Sequence, residues 1–217
     1  TLFEETYLDG YVAHAPIEPH AAIAEFDGKK LTIWASTQTP FRVKELIADN
    51  LSLPADHVRV VVPYVGGAFG GKSASAQALE AARLAKRIGK PVQVAWSRAE
   101  EFFYDTFRPA AIVKIKSGLD SAGRITLWDY NVYYAGMRGS KQFYEIPHHQ
   151  EKVYGRGRGS ARRHHPFAVG PWRAPANNTN TYARDLHLNL MAEKAGIDPL
   201  EFRLKNLKDK RMISVLK

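Results

Sequence analysis

Between Leu31 and Trp96 the apolar residues alternate between two-residue and helical spacing, and that alternation leaves the chain few folds to choose from. Leu31-Thr32-Ile33-Trp34-Ala35 has the two-residue period of a strand. Thr39 is a capping residue type and Pro40 suits a first helical position, and Val43, Leu46, Ile47 and Leu51 then recur at helical spacing. Leu53-Pro54-Ala55-Asp56 breaks this helix, and residues 58–62 read as a second strand. After a turn at Gly66-Gly67-Ala68-Phe69-Gly70-Gly71, one apolar stripe of Ala78, Ala81, Leu84, Ala85 and Ile88 stops at Gly89. Pro91-Val92-Gln93-Val94-Ala95-Trp96 reads as a third strand. The order β-α-β-α-β predicts an α/β (α+β) fold, a mixed sheet with flanking helices.

Downstream, residues 111–116 and 124–134 flank Asp120-Ser121-Ala122-Gly123, which predicts a hairpin. From about 136 to 171 the periodicity fades and Gly, His and Arg accumulate, so this stretch reads as a long irregular basic loop. Ala183, Leu186, Leu190 and Met191 mark a helix ending at Gly196, and Asp198-Pro199-Leu200-Glu201 resembles a capping box that opens a last helix through Leu204 and Leu207. Residues 1–217 are read as a single domain, an excised piece or processed subunit, since the chain begins at Thr1.

Composition narrows the function classes. With 45% hydrophobic and 24% charged residues the chain reads as an ordinary folded protein, and it has no apolar run of the roughly 18 residues that a membrane-spanning helix needs. The absence of cysteine excludes disulfides, thiolate metal sites, iron–sulfur ligation and cysteine nucleophiles from this chain, while leaving its compartment open. The net charge of +9 is concentrated. Residues 152–173 hold Lys152, Arg156, Arg158, Arg162, Arg163 and Arg173 with no acid, and residues 203–217 hold six bases against Asp209.

Gly66-Gly67-Ala68-Phe69-Gly70-Gly71-Lys72-Ser73 satisfies the phosphate-loop pattern G-x-x-x-x-G-K-[ST] between a predicted strand and helix. On that reading Lys72 reaches terminal phosphates, Ser73 binds magnesium, and Asp129 is the available magnesium-side acid. The bland reading of the same residues is a turn that needs glycine for its backbone alone. A third reading gives the arginines of residues 156–163 to a nucleic-acid backbone or a protein partner, with Tyr154 and Phe167 stacking on bases. Adjacent pairs His148-His149 and His164-His165 lack a third ligand nearby, so no metal ligand is assigned. His14 and His20, around Glu18-Pro19, are either an acid–base cluster or buried, hydrogen-bonded side chains.

Several motifs in order resemble those of the molybdenum hydroxylases, the xanthine dehydrogenase and aldehyde oxidase family. They are Ala15-Pro16-Ile17-Glu18-Pro19-His20-Ala21-Ala22, Ala35-Ser36-Thr37-Gln38-Thr39-Pro40, Gly66-Gly67-Ala68-Phe69-Gly70-Gly71-Lys72, Trp172-Arg173-Ala174-Pro175, and the closing Asp198-Pro199-Leu200-Glu201-Phe202-Arg203-Leu204-Lys205-Asn206-Leu207. The chain is similar to the first molybdopterin-binding domain of that family's large subunit, and Trp172 before Arg173 resembles the bacterial aldehyde and isoquinoline oxidoreductase branch. The resemblance implies part of an enzyme that oxidises aldehydes or N-heterocycles with water as oxygen source. Its cofactor would be molybdenum on a molybdopterin, in some members a cytosine dinucleotide.

By the same resemblance Gln38, Gly67, Phe69, Gly70 and Arg173 are the expected cofactor-side residues, and Phe69, Ser73 and Trp172 the substrate-side candidates. Ser73 stands where purine-oxidising members carry glutamate, so xanthine is not the expected substrate. Ala176 stands where many members have glycine. The family's glutamate base and a second cofactor domain lie outside this sequence, so no catalytic residue is assigned here and the isolated chain is expected to be inactive. The expected partners are the remaining large-subunit domains and an iron–sulfur electron-transfer subunit, with no nucleic acid and no membrane insertion.

Overall fold

The computed structural model describes residues 1–155 and 165–217. The chain forms two compact units, one from Thr1–Val12, Arg108–Val169 and Ala174–Lys217, the other from Ala13–Phe107 and Gly170–Arg173. Each has its own four-stranded sheet and its own core. Among the described residues no helix is long and apolar enough to cross a membrane.

The second unit carries the β-α-β-α-β order read from the sequence. Strand β2 (Ala21–Phe26) runs antiparallel to β3 (Leu31–Ala35), β3 runs parallel to β4 (Val58–Val61), and β5 (Val92–Ala95) pairs antiparallel with β2. The sheet order is therefore β4-β3-β2-β5. Alternation decides its two faces. Ala22, Ala24, Leu31, Ile33 and Ala35 are buried with α1 (Pro40–Leu51) and α2 (Ala76–Ile88), while Ile23 and Trp34 point the other way and are exposed. The buried stripe of α2 is Ala78, Ala81, Ala82 and Ala85, small enough for the helix axis to come close to the sheet. Gly89 closes α2 at φ 69°, its N–H bonded to the Ala85 carbonyl, as the sequence predicts.

Helix α3 (Arg98–Tyr104) follows β5 and begins with a capping box that the sequence reading passed over. The Ser97 hydroxyl accepts the Glu100 N–H, and the Glu100 carboxylate accepts the Ser97 N–H at 2.7 Å. Thr39 does not cap α1. Its N–H is taken by the Thr37 hydroxyl at 3.1 Å, and its own hydroxyl turns to the Ser73 carbonyl.

In the first unit the predicted hairpin is β6 (Ala111–Leu119) and β7 (Ile125–Tyr133), with β1 (Leu2–Asp9) added antiparallel to β6. The stretch from 136 to 171 contains a further strand, β8 (His148–Tyr154), parallel to β7. It is a largely exposed edge strand, so it writes no apolar alternation into the sequence. Tyr154 stacks on Tyr133 with ring centroids 4.6 Å apart, and Phe167 meets Tyr11 edge-on, so both rings have protein partners. The arginine-rich segment 156–164 lies outside the described residues.

Helix α4 (Asn177–Ala195) covers this sheet, α5 (Pro199–Lys205) starts with the Asp198 side chain accepting from Leu200 and Glu201 N–H, and α6 (Lys210–Leu216) follows. Ala176, at the start of α4, has φ 62°, a conformation glycine adopts without the roughly 1–2 kcal/mol penalty of a Cβ.

Buried His187 on α4 lies between two hydroxyls, Ser117 Oγ at 2.7 Å from Nε2 and Tyr7 at 3.0 Å from Nδ1. Burial alone pushes its pKa down to about 4. The unfolded chain therefore takes up a proton near pH 6.5 that the folded one refuses until about pH 4. The contribution is complete above pH 6.5 and is lost as pH falls through that window, about 3 kcal/mol in all at 1.36 kcal/mol per pH unit. Protection factors of β6 and α4 peptides, corrected for intrinsic exchange rates, should fall as pH is lowered across this window. His187→Gln should remove that pH dependence, and an unchanged slope in the variant would refute the assignment.

Candidate functional site

The residues singled out by sequence come together in the second unit around one turn. Residues 66–71 leave β4, and a short 3₁₀ turn, Gly71–Ser73, leads toward α2. Gly67 and Gly70 take φ of 94° and 114°, and between them Phe69, at φ 52°, turns outward and is 45% exposed. Three positive φ values within four residues bend the chain back on itself and lift the Phe69-Gly70 backbone toward solvent.

Gln38, just before α1, fastens to the tip of this turn. Its side-chain Oε1 accepts the Gly70 N–H at 2.9 Å, and its own N–H donates to the Lys72 carbonyl at 2.8 Å. With Oε1 engaged, the carboxamide nitrogen of exposed Gln38 still has its two N–H donors. Thr37 donates to the Lys72 carbonyl and pairs with Ser75 at 2.8 Å, so the segment before α1 holds both sides of the 3₁₀ turn.

The third segment of the site is Pro171-Trp172-Arg173. A methyl group at Gly70 would lie 1.9 Å from the Pro171 carbonyl oxygen, so the two backbones touch and only glycine fits. The Trp172 indole N–H donates to the Ala13 carbonyl at 3.2 Å, which ties that side chain to the protein. Arg173 is exposed. Ser73 is half-buried, its backbone carbonyl held by Thr39.

Lys72 answers the phosphate-loop reading. The lysine is fully buried, and its ammonium donates to Glu18 Oε2 at 2.6 Å. The same oxygen accepts the Gly66 N–H at 2.7 Å. Partial burial works against the Glu18 charge, but the Lys72 ammonium and the Gly66 N–H outweigh it and hold the carboxyl below the usual glutamate range. Lys72 is thus a brace inside the turn with no reach to a phosphate, and Asp129, on strand β7, bonds to Asn131 instead.

His14 has the buried, hydrogen-bonded role that was one of the two open readings; His20 is buried as well, but its ring Nδ1 has no hydrogen-bond partner. His14 Nδ1 lies 2.9 Å from Asp105 Oδ2 and Nε2 lies 2.8 Å from the Pro171 carbonyl, directly beneath Gly71. The His20 backbone N–H donates to Glu101 Oε2, and its ring packs on Trp96 with centroids 4.9 Å apart. His149 Nδ1 meets the Ile146 carbonyl, and His165 Nδ1 meets the Tyr11 hydroxyl. Neither the Glu18–Lys72 brace nor the His14–Asp105 pair was assigned from sequence. Their members lie 54 and 91 residues apart, and no local pattern links them.

A molybdopterin cofactor-binding domain model matches residues 1–207. The chain is 32% identical to the aldehyde oxidoreductase molybdenum-binding subunit PaoC of Escherichia coli K12, covering 94% of this chain and 28% of that protein. It is 24% identical to a subunit of nicotinate dehydrogenase from Pseudomonas putida KT2440, over 98% of this chain and 19% of that one. Quinoline 2-oxidoreductase from Pseudomonas putida 86 superposes with a TM-score of 0.85 at 21% identity, covering 98% of this chain and 29% of the other. Aldehyde oxidoreductase from Desulfovibrio gigas superposes at 0.79 with 23% identity, covering 97% and 24%. The chain thus spans under a third of these relatives. Matched over nearly its whole length, it belongs to the molybdopterin cofactor-binding domain family of the xanthine dehydrogenase and aldehyde oxidase class of molybdenum oxidoreductases.

Proposed function

We propose that this chain forms one wall of the molybdopterin site in a bacterial molybdenum hydroxylase that oxidises aldehydes or N-heterocycles with water as oxygen source. One observation carries the reading: the Gln38 carboxamide is locked by its oxygen onto Gly70, and Pro171, two residues before Arg173, backs onto that same glycine.

The donor set suits an anionic, phosphate-bearing pterin. Residues 66–73 contain no acid, the one lysine there is neutralised by Glu18, and Gln38 and Arg173 are exposed nitrogen donors. On this reading the Gln38 nitrogen and the Phe69-Gly70 backbone meet the cofactor, whose nucleotide tail is a cytosine form, and Gly67 gives the turn its bend. Arg173 donates to the cofactor or substrate side, and the Phe69 ring, Ser73 and Trp172 border the substrate. When bound, the molybdenum cofactor supplies the redox chemistry. This chain's residues orient it, keep the turn closed and supply fixed donors.

The glutamate base and the second half of the site come from the rest of the large subunit, and electrons leave through an iron–sulfur partner. The isolated chain is inactive on this account.

The test is elemental analysis for molybdenum, with pterin fluorescence after acid release, on the chain purified with its native partners. About one molybdenum per complex is expected. Arg173→Ala should lower occupancy at limiting cofactor by about tenfold, the loss of one charge-assisted hydrogen bond of roughly 1.5–3 kcal/mol. A metal-free complex would overturn the proposal.

A further inference from the structure

The His14 ring has an acceptor at each nitrogen. Asp105 Oδ2 stands 2.9 Å from Nδ1, and the Pro171 carbonyl oxygen stands 2.8 Å from Nε2. A carbonyl cannot donate, so Nε2 carries a proton. Asp105 accepts the Thr106 N–H with its other oxygen at 2.7 Å and turns Oδ2 to the ring as an acceptor, so Nδ1 carries a proton as well. The side chain is fully enclosed.

We infer that His14 is a positioning residue: a doubly donating imidazolium, seated on Asp105, that holds the Pro171-Trp172-Arg173 segment against Gly70 and releases it on losing a proton. What it would position for the reaction rests on the proposed cofactor reading; the clamp itself does not.

Three contacts make the segment depend on this ring. Pro171 is the backbone that closes on Gly70, so a displaced Pro171 frees the turn that Gln38 holds. The Trp172 indole bonds to the carbonyl of Ala13, the residue before His14, so segments 13–14 and 171–172 are joined from both sides. Gly70 and Gly71 leave no slack: a methyl group at Gly71 would lie 2.6 Å from Asp105 Oδ2 and 2.9 Å from the His14 ring.

Deprotonation breaks one particular bond. Neutral imidazole keeps a single N–H, and the Asp105 carboxylate is a stronger acceptor than a carbonyl, so the proton stays on Nδ1. Nε2 then presents a lone pair to the Pro171 oxygen, and attraction becomes repulsion. Burial opposes the charged ring, but the bonds to Asp105 and Pro171 and the Asp105 charge prevail and raise its pKa above the usual histidine value. A raised histidine pKa means that the clamp is in place at and below the ordinary value and is lost as pH rises through the folded-state value. The charged and titratable groups around the pair are Asp105 itself, His20 and Glu101 behind it, with polar atoms within 4.8 Å of one another, Arg98 paired to Glu101, and the Glu18–Lys72 pair of the turn.

The test is hydrogen exchange of the peptide around Gly170, whose N–H bonds to the Phe107 carbonyl at 3.0 Å, in the intact enzyme across neutral and alkaline pH, corrected for intrinsic rates. Wild-type protection should fall by about tenfold as His14 titrates, the fold-change expected for one hydrogen bond lost. His14→Gln, whose amide can reach the Pro171 carbonyl without titrating, should keep its protection through the same range. Asp105→Asn should move the fall to lower pH. The alkaline limb of kcat should follow the same order, absent in H14Q and shifted in D105N. Identical profiles in wild type and H14Q, or an unmoved midpoint in D105N, would overturn the inference. Molybdenum content of the same samples reports separately on the cofactor reading, so an enzyme without metal but with the predicted exchange pattern leaves the clamp standing.

Discussion

Gly70→Ala is expected to cost the second unit about 3 kcal/mol or more and to bring molybdenum in the assembled enzyme to a small fraction of wild type. Two independent penalties fall on one methyl group. At φ 114° the backbone is one that L-residues rarely adopt, and the added Cβ lies 1.9 Å from the Pro171 oxygen and 2.7 Å from its carbonyl carbon. Both are backbone atoms, so no rotamer change relieves the overlap. Either Pro171 retreats, taking Trp172 and Arg173 with it, or the Gly70 N–H leaves Gln38. Gly10→Ala is the control, since nothing lies within 4 Å of its added methyl. Thermal unfolding and metal content of the two variants, prepared in parallel, decide the matter. Wild-type stability and metal in the Gly70 variant would refute the close approach of these two backbones.

Breaking the Glu18–Lys72 brace should be asymmetric. Glu18→Gln leaves the ammonium of a fully buried lysine without a counter-charge, a loss of about 3–5 kcal/mol for a buried pair. Lys72→Met leaves a carboxylate that is 33% exposed and still bonded to the Gly66 N–H, so hydration offsets part of the loss and about 2 kcal/mol is expected. Denaturant unfolding of the two variants should show that order. The Glu18 contribution has the acid sign: its carboxyl is held low, so the stabilisation is present above the ordinary glutamate value and fades as pH falls through the folded-state value. Magnesium-ATP should bind neither variant nor wild type. Binding that is lost with Lys72 would restore the phosphate-loop reading, which the buried ammonium contradicts.

The glycine-lysine motif shows how far a local pattern reaches. Gly66 to Ser73 fits the phosphate-loop expression letter for letter and lies between a strand and a helix, as that expression requires. What separates the two meanings is where the lysine points, and Glu18, 54 residues away, decides that. Thr39 gives the same lesson at smaller scale. Its position before Pro40 reads as a cap, yet a carbonyl from residue 73 takes its hydroxyl and Thr37 takes over its N–H. Strand β8 was illegible for a different reason, since an exposed edge strand is held by backbone pairing that leaves side-chain periodicity unconstrained.

Legible along the chain are the alternating strands and helices of the second unit, the hairpin of the first, the glycine stops of α2 and α4, and the order of motifs that places the chain in its family. These are local properties, written in spacing, capping and backbone freedom within a few residues. Tertiary structure alone decided that Lys72 is sealed by Glu18, that Pro171 leaves room only for glycine at position 70, and that His14 joins Asp105 to Pro171. Each is a contact between groups far apart in the chain, whose burial and charge exist only once the fold has brought them within 3 Å.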